Sequence, residues 1–314
     1  MSIVVGVDAG GTGSRCQVSG DDGSLLGEAK GAAGAVRPGE ADRAADAIVD
    51  VVRDALVAAE RGHEMPKVLC VGAAGVGRDA ERLELWEALS AREVAEDVVI
   101  ITDAEAGFDD AFGEGAGILL IAGTGSIAHG RGPTGVVARC GGWGPVCGDE
   151  GSGAWIGRRA LSVVTASADG REPTTALLGA ILTACEVNDP DQLIAWASSA
   201  TPAQFAALAP VVARVADSGD ARAGALVTLA CEELVLHVRT LARSLFGDER
   251  AACPVALAGG LIGPGRPMRK RLEKRLKSAV PGVQPHAGEV IPVRGAARAA
   301  LRHLGVVTGH GAAG

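Results

Sequence analysis

Short apolar runs, glycine-rich turns and longer amphipathic stretches alternate along the whole chain. An apolar run at 4–7 ends at Asp8, and a glycine turn follows at 10–13 before the chain returns in an extended pattern. This order predicts a buried strand, a tight turn and a second strand. The same order recurs within 117–131, where the turn occupies 123–125. The recurrence indicates two related domains.

Helical spacing of apolar residues appears between these strand patterns. It predicts helices at 40–61, with Gly62 as the stop signal, and at 79–92. Short apolar runs at 67–73 and 98–102 predict further buried strands. Because strands and helices alternate, the predicted fold class is α/β.

Composition limits the functions that this chain can have. It has 314 residues with 47% apolar and 22% charged residues, which is typical of a globular protein with room for two domains. The net charge is −8 and tyrosine is absent, so we expect neither a nucleic-acid partner nor a base-stacking surface. No apolar run approaches the ~20 residues of a membrane span, and no secretion leader is evident. Seven scattered cysteines without a C-x-x-C pair favour reduced thiols, so we expect a cytoplasmic protein without a membrane partner.

The first glycine turn has the composition of a phosphate-binding turn. Gly10, Gly11 and Gly13 allow backbone N–H groups to approach an anion closely, and Thr12 adds a hydroxyl donor. Asp8 could hold a hydrated divalent cation beside that anion, because hard oxygen ligands suit magnesium. The alternative is an ordinary glycine-rich β-turn.

Asp103 stands at the end of a predicted strand and directly before a predicted helix. Ligands of open α/β sheets lie beyond the carboxyl ends of the strands, so Asp103 is a candidate catalytic residue. The alternative is that Asp103 only caps the helix, which aspartate does well.

A glycine-laden loop at 140–153 carries Trp143 and Asp149 and precedes a predicted helix. Such loops commonly carry binding groups, although Trp143 could instead be buried. Cys140 and Cys147 flank the loop and could bind zinc, but no further ligands are evident nearby. The P-loop, H-E-x-x-H and G-x-S-x-G motifs are absent, and a G-x-G-x-x-G match at 309–314 follows no predicted strand.

Five stretches together resemble the BadF/BadG/BcrA/BcrD-type ATPases, which belong to the actin/Hsp70/hexokinase superfamily. Within this family the likeness is greatest to N-acetylglucosamine kinases and related amino-sugar or hexose kinases. The stretches are V-D-A-G-G-T-G-S (7–14), I-T-D-A-E-A-G (101–107), I-A-G-T-G-S (121–126), G-G-W-G-P-V-C-G-D-E-G-S-G (141–153) and L-A-G-G-L (257–261).

The resemblance implies two ribonuclease-H-like domains around a nucleotide cleft, with ATP, magnesium and a small-molecule sugar as ligands. The domains would span 1–114 and 115–294, the second with a helical insertion, and a helix at 295–305 would pack back on the first. A homodimer is implied by likeness alone. The implied ATP-binding residues are Gly10, Gly11, Thr12, Gly123, Thr124, Gly125, Gly259 and Gly260. Asp8 would position the metal, Asp103 would be the base and bind the sugar, and the sugar pocket would be lined by Gly142, Trp143, Gly144 and Asp149.

The resemblance therefore implies a kinase that phosphorylates the 6-hydroxyl of a sugar, with N-acetylglucosamine as the leading substrate. Kinases of this type usually place an asparagine in the loop after the third strand, whereas residues 31–39 contain none. Arg37 could replace it and would favour an acidic or differently substituted sugar, so glucosamine, glucose and N-acetylmuramic acid stay open. Two other functions stay open as well, an iron–sulfur ATPase that activates a radical dehydratase and a non-catalytic nucleotide or sugar sensor.

Overall fold

The computed structural model describes residues 2–248 and 250–305, which fold into two compact units. One unit comprises the described residues up to 114 and from 290 onward, and the other comprises Gly115–Glu289. The elements are, in chain order, β1 (Ile3–Ala9), β2 (Ser14–Gly20), β3 (Leu25–Gly31), α1 (Ala41–Ala58), β4 (Val68–Ala73), α2 (Asp79–Ser90), β5 (Asp97–Thr102), α3 (Asp103–Phe112), β6 (Gly117–Ala122), β7 (Ser126–Arg131), β8 (Val137–Gly141), α4 (Gly144–Cys147), α5 (Gly153–Ala168), α6 (Leu177–Ala184), α7 (Gln192–Ser199), α8 (Pro202–Ala207), α9 (Ala209–Asp217), α10 (Ala221–Phe246), β9 (Cys253–Ala258), α11 (Arg269–Ala279), β10 (Val283–Pro285) and α12 (Pro292–His303).

Each unit contains one five-stranded sheet, and the two sheets share one topology. In the first, the strand order is β3-β2-β1-β4-β5, with β1–β3 antiparallel and β1, β4 and β5 parallel. In the second sheet the order is β10-β9-β6-β7-β8, which is the same pattern listed from the opposite edge. The pairs β6–β7 and β7–β8 are antiparallel, and the pairs β6–β9 and β9–β10 are parallel. The predicted α/β class is confirmed.

The carboxyl ends of the three parallel strands in the first unit meet at one edge. Ala9 of β1 lies beside Ala73 of β4, and Ala73 lies beside Thr102 of β5. Residues that directly follow these strands therefore share this edge of the sheet. Both Gly10 and Asp103 are among them.

Alternating residues of β1 face two different cores. Ile3, Val5 and Val7 are buried in a core that also contains the apolar face of α1. Val4 is buried with residues of α3 and α12 on the other side. The helix α12 packs so closely on β1 that a Cβ on Gly6 would lie 2.3 Å from the Ala297 nitrogen. The last described helix is therefore part of the first unit.

The structure corrects two details of the predicted elements. The helix predicted at 40–61 ends at Ala58, before its predicted end. The residue that turns the chain out of the helix is Glu60, with a left-handed φ of 58°, and not Gly62. The strand β10 escapes prediction because it has only three residues.

None of the helices in the described ranges is long and apolar enough to cross a membrane. The glycine-rich match at 309–314 lies outside the described residues.

Candidate functional site

The first glycine turn has a fixed base and an exposed tip. The Gly10 N–H donates to the Gly13 carbonyl at 3.0 Å, while Gly11 and Thr12 are exposed. The Gly10 carbonyl accepts from the N–H groups of Gly34 and Ala35, each at 3.2 Å. A Cβ on Gly11 would meet no atom within 4 Å, so an anion can approach the backbone at this tip.

The second turn, in the other unit, is braced by a helix. The Gly123 N–H donates to the Gly125 carbonyl at 2.9 Å, and Thr124 is exposed at the tip. The first residues of α5 donate back to the turn, Gly153 to the Gly123 carbonyl at 2.8 Å and Ala154 to the Thr124 carbonyl at 3.2 Å. The turn that follows β6 thus has the same fixed base and exposed hydroxyl as the turn that follows β1.

The glycine pair Gly259-Gly260 lies against this second turn. Gly259 has φ of 96°, and a Cβ there would lie 2.4 Å from the Ala122 carbonyl oxygen. The next residue, Leu261, donates its N–H to the same oxygen at 3.0 Å. A Cβ on Gly123 would lie 3.6 Å from the Gly260 nitrogen. The structure therefore brings these two predicted nucleotide-binding segments of the second unit together.

Asp8 and Asp103 form a pair of carboxylates in the first unit. Burial, and then the charge of Asp103, raise the pKa of Asp8 to about 6, whereas Arg15 acts in the opposite direction. Burial also raises the pKa of Asp103 above its ordinary value, although the Ala104 N–H favours the charged form. Both groups can therefore change protonation state closer to neutral pH than an ordinary aspartate, which is typical of acid–base sites.

The alternative that Asp103 only caps α3 is wrong. Thr102 is the N-cap, and its hydroxyl accepts from the Glu105 N–H at 3.1 Å while the Glu105 carboxylate accepts from the Thr102 N–H at 2.7 Å. This capping box satisfies the helix start by itself. Asp103 is the first helical residue, and its Oδ1 accepts only locally, from the Ala104 N–H at 2.9 Å. The T-x-x-E pattern at 102–105 carries this signal in the sequence.

The Asp8 carboxylate also fits a magnesium ion. Magnesium is usually held by one or two protein carboxylates, with phosphate and water oxygens completing an octahedral shell. A second carboxylate, that of Asp103, is close enough to raise the pKa of Asp8, and a cation would relieve this repulsion.

Within residues 2–248 and 250–305, no group of three or more His, Cys, Asp or Glu side chains is arranged to hold a metal. The exposed Cys147 and half-buried Cys140 thus belong to no such group.

The glycine-laden loop of the second unit presents an exposed aromatic side chain. Gly142 and Gly144 have positive φ of 71° and 81° and flank Trp143. The Trp143 side chain is 67% exposed and lies under the Arg139 guanidinium, 4.6 Å from the ring centre. The alternative that Trp143 is buried in the core is therefore wrong.

Asp149 links this loop to the second turn. It is buried, with a left-handed φ of 59°, and its carboxylate accepts from the N–H groups of Ser126 and Gly144. Burial raises its pKa, which these N–H donors partly offset. A Cβ on Gly125 would lie 2.8 Å from the Asp149 Oδ2 atom. The Gly142 N–H donates to the Ser126 carbonyl at 3.0 Å. Of the five predicted sugar-binding residues, Gly142, Gly144 and Asp149 are thus linked to one another through Ser126 and the Asp149 carboxylate.

Arg15 is a residue of this region that sequence reasoning missed. It lies directly opposite Asp8 in the β1–β2 pair, and Lys30 lies opposite Arg15 in the β2–β3 pair. Residues directly opposite each other on neighbouring strands share one face of a sheet. The number of residues in the glycine turn fixes the register of β1 and β2. The sequence therefore contained a signal that Arg15 lies opposite Asp8.

Comparisons with known proteins agree with one another. A sequence model of the BadF/BadG/BcrA/BcrD ATPase family matches residues 5–300. The chain is 28% identical over 264 residues to N-acetylmuramic acid/N-acetylglucosamine kinase of Clostridium acetobutylicum, covering 83% of this chain and 86% of the relative. It is 28% identical over 302 residues to glucosamine kinase GspK of Vibrio cholerae, covering 92% and 97%. The crystal structure of a candidate N-acetylglucosamine kinase from Chromobacterium violaceum has a TM-score of 0.80 and 31% identity, covering 95% of this chain and 98% of that one.

Proposed function

The chain belongs to the BadF/BadG/BcrA/BcrD ATPase family, and we propose that it is an ATP-dependent sugar kinase that phosphorylates the 6-hydroxyl of an amino sugar or hexose. N-acetylglucosamine is the leading substrate, because relatives that align along most of their length carry this sugar or glucosamine in their names. The observation that carries the proposal is the placement of Asp103 at the end of a parallel strand, next to a second carboxylate and free of the capping role.

In this proposal Asp103 accepts the proton of the sugar hydroxyl as the phosphoryl group arrives. A general base works best when its pKa lies near the working pH, and burial raises the pKa of Asp103 in that direction. Phosphoryl transfer needs positioning and charge stabilisation more than covalent help from the protein. A single well-placed carboxylate is therefore sufficient for the proton transfer.

The exposed tips of the two glycine turns bind the phosphates of ATP. Gly10, Gly11 and Thr12 contribute in the first unit, and Gly123, Thr124 and Gly125 in the second, while Gly259 and Gly260 approach the adenosine. Asp8 holds magnesium, which when bound neutralises charge on the phosphate oxygens. The support for these assignments is the open space at Gly11 and the exposure of both threonines.

The sugar contacts Gly142, Trp143, Gly144 and Asp149 in addition to Asp103. A carboxylate accepts hydrogen bonds from two hydroxyl groups at once, which favours a polyol over water. The Trp143 ring offers an exposed apolar face for a sugar ring. A homodimeric state and a cytoplasmic location stay predictions from the sequence.

A coupled assay of ADP release across free sugars tests this function. We expect ADP release that depends on N-acetylglucosamine, with little release from ATP in water alone. The 6-deoxy analogue of the best sugar is the matched control, and we expect it to give no ADP above background because the acceptor hydroxyl is missing. Sugar-independent ATP hydrolysis, or full turnover with the 6-deoxy analogue, would contradict the proposal.

A further inference from the structure

The loop between β3 and α1 is held against the strand ends of the first unit. The N–H groups of Gly34 and Ala35 donate to the Gly10 carbonyl, and the Val36 N–H donates to the Ala74 carbonyl at 2.9 Å. Gly10 follows β1 and Ala74 follows β4, and the Val36 side chain is buried in the core. The loop therefore crosses the edge of the sheet at which Asp103 follows β5.

Arg37 carries the only polar side chain in residues 31–39. The remaining residues are glycine, alanine, valine and proline, which offer a ligand no side-chain hydrogen bond. Any side-chain recognition of a polar ligand by this loop must therefore come from the guanidinium of Arg37. A guanidinium has only donors and a permanent charge, so the group that it recognises best is an anion.

The backbone of Arg37 is fixed on both sides. Val36 is anchored by its buried side chain, and the Arg37 carbonyl accepts from the Glu40 N–H at 2.9 Å. Pro38 follows and restricts the backbone of Arg37 further. Binding an anion would thus cost the ordering of one exposed side chain and not of a whole loop.

The charge of Arg37 is not used within the fold. Among residues 2–248 and 250–305, no carboxylate forms an ion pair with it, whereas the neighbouring Arg43 pairs with Glu40 at 3.0 Å and Arg78 pairs with Glu81. Arg15, on the same sheet, already faces Asp8. Arg37 is therefore the cation on this loop that is available to a ligand.

We propose that Arg37 selects a sugar that carries a carboxylate substituent, an inference that rests on the proposed kinase function. Ala74, against which the loop is held, lies one strand away from Asp103, and neighbouring strands are about 4.8 Å apart. A sugar whose hydroxyl reaches Asp103 therefore lies close to this loop, and a carboxylate on it forms the bidentate pair that arginine favours. The enzyme would then accept an acidic amino sugar in addition to N-acetylglucosamine.

The test compares three sugars in the coupled ADP assay with the full chain. N-acetylmuramic acid carries a carboxylate on an N-acetylglucosamine ring, its methyl ester has nearly the same shape without the charge, and N-acetylglucosamine lacks the substituent. For the wild type we expect kcat/KM for the acid to exceed that for the ester about tenfold or more, because a charge-assisted pair is lost in the ester.

Arg37→Gln should lower kcat/KM for N-acetylmuramic acid about tenfold or more, chiefly through KM, and leave the ester and N-acetylglucosamine within about twofold. Arg37→Lys should keep part of the preference for the acid over its ester, because lysine keeps the positive charge but cannot donate two parallel hydrogen bonds to a carboxylate. Arg53→Gln is the matched control, since Arg53 is exposed on α1 and paired with Asp50, and it should change none of the three values.

Sugar-dependent turnover without a preference for the acid over its ester would overturn this inference alone. An equal loss on all three sugars in Arg37→Gln would do the same, because it would indicate a general role of the loop. If none of the sugars, including those of the wider panel, released ADP, the kinase function itself would fail and the inference with it.

Discussion

Asp110 fastens α12 to the rest of the first unit, and its replacement by asparagine gives a sharp stability test. Its side chain is completely buried and accepts the Ile291 N–H at 2.7 Å and the Arg294 Nη2 atom at 2.8 Å. The Nε atom of Arg294 and the Nη1 atom of Arg298, the latter at 3.3 Å, donate to its other oxygen. One carboxylate on α3 thus holds the start of α12 and two of its arginines.

Asparagine keeps the shape of this side chain but presents an NH₂ group to at least one donor. A hydrogen bond to a charged group contributes roughly 1.5–3 kcal/mol. The side chains of Arg294 and Arg298 are 41% and 35% exposed, so solvent screens their share. We therefore expect a loss of about 2 kcal/mol, or about 30-fold in the equilibrium for opening this region.

Hydrogen exchange followed by mass spectrometry measures this loss for each element separately. In Asp110→Asn, amides of α12 and α3 should exchange about 30-fold faster, and those of α5 in the other unit should not change. Asp50→Asn is the matched control, because Asp50 and Arg53 form an exposed ion pair, 73% and 70% accessible, worth at most about 1 kcal/mol. Unchanged exchange of α12, or equal acceleration of α5, would show that Asp110 does not hold α12 in the first unit.

Three further predictions concern the pH dependence of activity, the effect of Asp8 on stability and the packing of two glycines. Because the pKa of Asp8 is raised to about 6, kcat/KM for ATP should fall as the pH drops through about 6, and Arg15→Met should move this fall to higher pH, since the guanidinium favours the carboxylate. An unmoved acid limb would contradict the effect of Arg15. Because the pKa of Asp8 is raised in the folded protein, the ligand-free wild type should lose stability as the pH rises from about 4 to about 6 and Asp8 ionises. In urea unfolding, Asp8→Asn should therefore be more stable than the wild type above pH 6 but not below pH 4. Gly259→Ala should destabilise the second unit by about 2 kcal/mol or more, because a Cβ there would lie 2.4 Å from the Ala122 carbonyl oxygen. Gly224→Ala should instead stabilise this unit by roughly 0.5–1 kcal/mol, because Gly224 lies within the helix α10 and a Cβ there meets no atom within 4 Å. Equal midpoints for these two variants in urea unfolding would contradict the packing argument.

The local parts of this molecule could be predicted because they depend on neighbours in sequence. Apolar runs and glycine turns determine the strand–turn–strand units at both 3–20 and 117–131, and the strand at 97–102 places Asp103 at its end. The capping box of Thr102 and Glu105 was also readable from spacing alone. These features need no knowledge of distant contacts.

Other parts depend on contacts that no local pattern records. Asp110 and Arg294 are 184 residues apart in the chain, and only the packed unit brings them together. The left-handed conformation of Asp149 and its two backbone donors arise from the fold of the loop around Ser126. The exposure of Trp143 could not be predicted either, because a lone aromatic residue among glycines fits both a core and a surface.

In the proposed mechanism, Asp103 removes a proton from a sugar hydroxyl during phosphoryl transfer from ATP. The most direct measurement is kcat for sugar-dependent ADP release in wild type and Asp103→Asn, with ATP binding measured by calorimetry on both proteins. We expect kcat to fall about 100-fold or more while the ATP dissociation constant stays within about threefold, because the amide keeps the shape but cannot accept the proton. An Asp103→Asn enzyme that turns over at the wild-type rate would show that Asp103 is not the base.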